Sequence, residues 1–133
     1  MSLNRHQIRK IAFQTLFALN SNPEADAREI YQDLISEISS EATIPAYLEQ
    51  LVNGVLTKQA DIDGIIEQYL KQNWTLARLN KTDLLILRLA VYEIKFEEEL
   101  PNKIALDEAL QLAKEFSDEK SRRFINGILN NLV

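Results

Sequence analysis

One aliphatic run constrains this fold more than anything else in the chain: Asp83-Leu84-Leu85-Ile86-Leu87-Arg88-Leu89-Ala90-Val91-Tyr92-Glu93-Ile94. Seven of the eight positions from Leu84 to Val91 are apolar, so a helix through them is apolar on nearly every face. A surface helix needs only one apolar stripe, whereas one that is apolar all round must be enclosed by others. The run is too short to cross a bilayer and carries Arg88 in its middle. A strand is the rival reading, but the length of the segment, with apolar residues continuing at Leu87, Val91 and Ile94, favours a buried central helix. Arg88 must then reach the surface or find an acid. Glu108, at the start of the next helix, is the expected partner.

The surrounding sequence supplies the helices that could enclose it. Residues 4–19 form the first, with Ile8, Ile11, Ala12, Thr15, Leu16 and Leu19 on one stripe. Asn20-Ser21-Asn22-Pro23 ends it, and Asn22 is expected to cap a second helix that takes Pro23 in its first turn. That helix buries Ala27, Ile30, Tyr31, Leu34 and Ile38. Pro45 opens a third, with Tyr47, Leu48, Leu51, Val52 and Val55 inward. Residues 61–70 follow, either as a separate helix capped by Asp61 or after a kink. Asn80 or Thr82 caps the central helix, and two further helices follow around Leu106–Phe116 and Ile125–Leu132. The expectation is an all-α single domain of six or seven helices, divided near residue 72.

Leu51-Val52-Asn53-Gly54-Val55-Leu56 returns as Phe124-Ile125-Asn126-Gly127-Ile128-Leu129. A glycine inside a helix costs about 1 kcal/mol relative to alanine. Both glycines are therefore expected where two helix backbones approach closely.

With 133 residues the chain can bury roughly two thirds of its unfolded surface without staples. It has no cysteine, so disulfides and thiolate metal sites are excluded. No signal-peptide core or membrane-length run is visible, which points to the cytoplasm. His6 is the only histidine, and no nucleophile–base arrangement, phosphate loop or metal motif accompanies it. Pairs such as Asp61/Asp63 and Asp107/Glu108 suit caps and solvated faces better than acid–base work, so no enzyme, metal or cofactor is expected.

Net charge is −5, but unevenly spread. Residues 1–23 hold Arg5, Arg9 and Lys10 and no acid; residues 24–72 hold ten acids against three bases. Near the end Lys120, Arg122 and Arg123 cluster beside Phe124. Two cationic segments with nearby rings suit phosphate contact and base stacking on single-stranded RNA. Solvated helix faces for the cations and core packing for Phe17 and Phe124 are the plain alternatives.

Four blocks carry a resemblance: Arg5-His6-Gln7-Ile8-Arg9-Lys10-Ile11-Ala12-Phe13-Gln14-Thr15-Leu16-Phe17, Arg88-Leu89-Ala90-Val91-Tyr92-Glu93, Ala105-Leu106-Asp107-Glu108-Ala109-Leu110-Gln111-Leu112-Ala113-Lys114 and Phe124-Ile125-Asn126-Gly127-Ile128-Leu129. In this order and spacing the chain resembles the NusB family of transcription antitermination factors from end to end. The family usually carries Asn where Asp107 stands and is often richer in arginine at its start. The resemblance implies two small helical bundles packed across each other. It also implies binding of single-stranded boxA RNA together with the small-subunit ribosomal protein NusE, within an RNA polymerase antitermination complex acting notably on ribosomal RNA operons. On this reading Arg5, His6, Arg9, Lys10, Phe17, Lys120, Arg122, Arg123 and Phe124 bind RNA. Asp83, Tyr92 and Glu93 meet the protein partner, an acidic surface steering a basic one. Asp83 could equally just stabilise the start of its helix. The fold also occurs ahead of some RNA methyltransferases, for whose catalytic part 133 residues leave no room. The competing hypothesis is a helical interaction module or homodimer with no RNA function.

Overall fold

A computed structural model describes residues 2–133. They form α1 (Arg5–Ser21), α2 (Ala27–Ser36), α3 (Ala46–Thr57), α4 (Gln59–Gln68), a 3-10 turn at Leu76–Arg78, α5 (Lys81–Phe96), α6 (Asn102–Phe116) and α7 (Glu119–Leu129). Among the described residues there is no strand, and no helix is long and apolar enough to cross a membrane. Internal contacts group the chain into two compact units, one up to Asn53 and one from Gly54 to Val133. The division falls inside α3 rather than near residue 72, because α4 packs with α5.

In the first unit α1 and α2 pack together. A reciprocal capping box starts α1: the Asn4 side chain accepts from the Gln7 amide at 2.8 Å, and the Gln7 side chain accepts from the Asn4 amide at 2.9 Å. This satisfies two otherwise orphaned donors. The expected stripe is buried, and Arg9 and Phe13 widen it. The second helix begins later than expected. Pro23 lies in a turn in which the Ala25 amide donates to the Asn22 carbonyl, and Asp26 caps α2 by accepting from the Arg28 amide at 2.9 Å. Tyr31 and Ile35 are the buried residues of α2. Its helix ends at Ser36, before Ile38, which is left exposed. Burial, with Glu49 nearby, pushes the Tyr31 hydroxyl up to about 12.

The second unit is organised on α5, whose residues from Asp83 to Ile94 are all buried. It packs against α4, α6 and α7. Asn80 is the cap, accepting from the Asp83 amide at 2.8 Å. Helix α4 is separate from α3, with Lys58 at its cap position and Asp61 in its first turn. Arg88 does not pair with Glu108. Its Nε and Nη2 donate to the two carboxylate oxygens of Asp63 on α4, at 2.8 and 3.0 Å. The α4–α5 packing offers the guanidinium fork a bidentate acceptor, which fixes its orientation as well as its charge.

The repeated Asn-Gly motif divides. A Cβ at Gly54 would clash with the hydroxyl end of the Tyr92 ring, so that glycine is required by a close approach, to a side chain rather than a backbone. A Cβ at Gly127 would meet nothing within 4 Å, and Gly127 lies on an open face. The expectation of a tight crossing at both glycines holds at neither as stated, and at Gly127 there is no close approach at all.

Candidate nucleic-acid interface

The start of α1 carries the first candidate set. Arg5 is exposed, with its guanidinium 5.7 Å from the centroid of the Tyr47 ring. His6 and Lys10 are half-buried. Arg9 departs from expectation: it is only 1% exposed, which removes it from any solvent-facing cationic row. Four residues beyond Arg5, it falls within the broadened buried face of α1, flanked in sequence by buried Ile8. Phe17 stands 39% exposed, edge-on to buried Phe13 with ring centroids 6.2 Å apart. Half-buried Lys10 and exposed Phe17, seven residues apart, lie on one side of that helix, with exposed Arg5 at its start.

The second set opens α7. Asp118 caps the helix by accepting from the Ser121 amide at 2.8 Å, and that bond holds its carboxyl below the usual range. Lys120 and Arg123 are exposed. Arg122 is half-buried, with Nη1 3.2 Å from Glu119 Oε1, so part of its charge is answered locally. Phe124 is neither core nor fully exposed: it lines a cavity of about 530 Å³ together with Tyr69, Trp74, Arg78, Asp83 and Arg123. The expected choice between stacking and core packing thus resolves into a partly accessible ring beside a cleft.

Trp74 and Arg78 were not among the candidates. The Arg78 guanidinium lies 4.8 Å from the centroid of the Trp74 ring, and its Nη1 donates to the Asn73 carbonyl at 2.8 Å. The available signal was the chain's single tryptophan with an arginine four residues on, in a segment too polar to be core.

The three expected partner-binding residues are all buried. Tyr92 is 7% exposed, lies against Gly54 and stacks on Phe96 at 5.7 Å; Glu93 is 1% exposed. Asp83 is 6% exposed, and its Oδ2 accepts from Ser121 Oγ at 3.1 Å and from Asn80 Nδ2 at 3.2 Å. Its Oδ1 is buried without a hydrogen-bond partner. Burial pushes the Asp83 carboxyl up, opposed by the Ser121 bond. Asp83 thus ties the start of α5 to that of α7. Among the described residues no group of three or more His, Cys, Asp or Glu could hold a metal ion.

Comparison with known proteins extends over the whole chain. A sequence model of the NusB family matches residues 6–133. Transcription antitermination protein NusB of Ligilactobacillus salivarius is 56% identical, with all of both chains covered. That of Levilactobacillus brevis is 55% identical over 97% of this chain and 92% of its own. Among solved structures, T. maritima NusB superposes with a TM-score of 0.84 at 31% identity, covering 99% of this chain and 92% of that one. A structure described as antitermination factors NusB and NusE in complex with dsRNA gives a TM-score of 0.81 at 26% identity, covering 96% and 94%.

Proposed function

The chain belongs to the NusB family, and from that premise we propose that it is a transcription antitermination factor that binds boxA RNA as a single strand together with the ribosomal protein NusE. In that role it modulates termination by RNA polymerase, notably on ribosomal RNA operons, as a cytoplasmic adaptor with no chemistry of its own. The observation that carries the reading is the family match across residues 6–133, which takes in Lys10 and the Lys120–Arg123 cluster and begins one residue after Arg5.

The physical roles follow from exposure. Arg5, Lys10, Lys120 and Arg123 supply phosphate-directed charge, with His6 and Arg122 as secondary contributors. Phe17 and Phe124 offer rings to unstacked bases. Arg9 contributes by holding α1 in place from within. A chain of net charge −5 gains affinity for RNA by recruiting a basic ribosomal protein, since complementary fields steer encounter and add cationic surface to the complex. Asp83, Tyr92 and Glu93, all buried, serve indirectly by fixing α5 within the second unit. The NusB–NusE complex with dsRNA, formed by a protein of the same fold, supports an assembly of this fold with NusE and RNA.

The test is a salt titration of boxA RNA binding with and without the ribosomal partner. Binding is expected to be weak alone and tighter with the partner. With about three to five phosphates engaged, the log–log slope for a single strand is roughly −2 to −3.5. Reversing Arg5 and Lys10 to Glu should flatten that slope and weaken binding while leaving the circular dichroism spectrum unchanged. RNA bound equally well by the reversed protein at every salt concentration would remove α1 from the interface. An absence of RNA binding in the partner's presence would favour a purely protein-directed module.

A further inference from the structure

Tryptophan is usually drawn inside a fold by its large apolar surface. The chain's one tryptophan, Trp74, is instead 47% exposed. It is nevertheless well held. Asn73, immediately before it, adopts a left-handed backbone with φ of 75°, a conformation that asparagine tolerates better than most residues. That turn aims the Asn73 carbonyl at Arg78, which returns along the 3-10 turn Leu76–Arg78 and lays its guanidinium over the indole. Indole and guanidinium are therefore ordered together before any ligand arrives. Pre-ordering of this kind lowers the entropy lost on binding.

The same ring lines the cavity that Phe124 and Tyr69 also line. Its volume, about 530 Å³, lies within the roughly 300–1,000 Å³ of clefts that hold small ligands. Three cations, Lys71, Arg78 and Arg123, share the lining with one carboxylate, that of buried Asp83. A cationic protein segment would meet three like charges there. An anionic ligand with a flat aromatic part meets opposite charge and rings together, and a nucleotide has that chemistry.

We propose that the Trp74–Arg78 stack, with Phe124 lining the same cavity, is a platform for one unstacked base of single-stranded RNA, the flanking phosphates lying on Lys71 and Arg123. This rests on the RNA-binding reading and adds to it a base site in which Trp74, Arg78 and Lys71, outside both cationic segments, join Arg123 and Phe124 of the second. The base stacks on the open face of the indole or on the guanidinium plane, both of which single-stranded RNA uses.

Because Trp74 is the sole tryptophan, its emission reports on this cavity alone. The chain is titrated with a short single-stranded boxA RNA while binding is followed independently by anisotropy of a label on the RNA. Quenching of Trp74 in step with the anisotropy change is expected. Trp74→Ala should weaken binding about tenfold to a hundredfold, the range for loss of one base–aromatic stack, with an unchanged thermal melt. Trp74→Phe should recover most of the affinity. RNA bound by anisotropy with no change in Trp74 emission, or Trp74→Ala binding as tightly as the parent, overturns the base platform and leaves the RNA-binding reading intact. No anisotropy change with or without the ribosomal partner overturns both. Emission that responds to the ribosomal protein alone and never to RNA gives the cavity to a protein segment and overturns the proposal.

Discussion

The two flanks of α5 show how differently one helix can be covered. On the flank of Gly54 and α4, Tyr92 occupies the space a Cβ would need and Arg88 is gripped bidentately by Asp63. On the flank of α7, Ile125, Ile128 and Leu129 are buried, yet Gly127 faces open space and Phe124 borders a cavity. The six-residue motifs that supply Gly54 and Gly127 are nearly the same in sequence. What separates them is the neighbour: a large ring over one, nothing over the other. A closed flank stores stability, whereas an open one leaves surface for a ligand.

The largest expected effect is on the closed flank. Asp63→Ala would strand Arg88 among aliphatic residues, and breaking a buried pair from one side costs about 3–5 kcal/mol. Because the Arg88 and Asp63 side chains keep 11% and 18% exposure, the lower end of that range is expected in urea denaturation. A midpoint matching the parent's would show that Arg88 simply turns to solvent.

Next comes Gly54→Ala. Its methyl must displace the Tyr92 ring, and overpacking of this kind costs about 1–3 kcal/mol. Adding Tyr92→Leu should recover part of the loss, since contacting residues do not act additively. Gly127→Ala should move the other way, gaining up to about 1 kcal/mol from helix propensity with no contact to disturb. If the two alanine variants shift the thermal melt in the same direction, the difference between the flanks is not the one described.

The smallest effect is a pH tilt at the junction of α5 and α7. Burial raises the Asp83 carboxyl above its unfolded value, so its favourable contribution is full below the ordinary carboxylate range and fades as pH rises through the raised value. Asp83→Asn should therefore gain on the parent as pH climbs from acidic to neutral. Asp118, held low by Ser121, has the opposite pH dependence but is common to both proteins. A melting-temperature difference that stays constant across that span would mean Asp83 is not strained by its burial.

Much of this was legible in the residues. The run from Leu84 to Val91 required an enclosed helix whatever its neighbours were. The stripes of α1 and α3 and the cap at Asn80 follow from spacing and side-chain chemistry that act within a few residues. The candidate interface was legible only in part. Arg5, Lys120, Arg123 and Phe17 are exposed as the RNA reading requires, but Arg9 is not, because a helical wheel cannot say how wide the buried face will be. Asp83, Tyr92 and Glu93 belong to the helix that the aliphatic run marks as enclosed, and all three are buried. The Trp74–Arg78 stack leaves no such pattern, because it depends on one left-handed residue and a 3-10 turn.

The sequence by itself determined the helical class, the central position of α5, the family and the segments where charge collects, since each depends on local periodicity or on residues read in order. Only the tertiary structure decided that Arg88 takes Asp63, that one glycine is covered and its counterpart is not, and that a cavity opens beside Phe124. Those outcomes turn on which side chains from distant parts of the chain meet. Contact between residues 25 or 38 positions apart, as in Asp63–Arg88 and Asp83–Ser121, leaves no periodic trace in a single sequence.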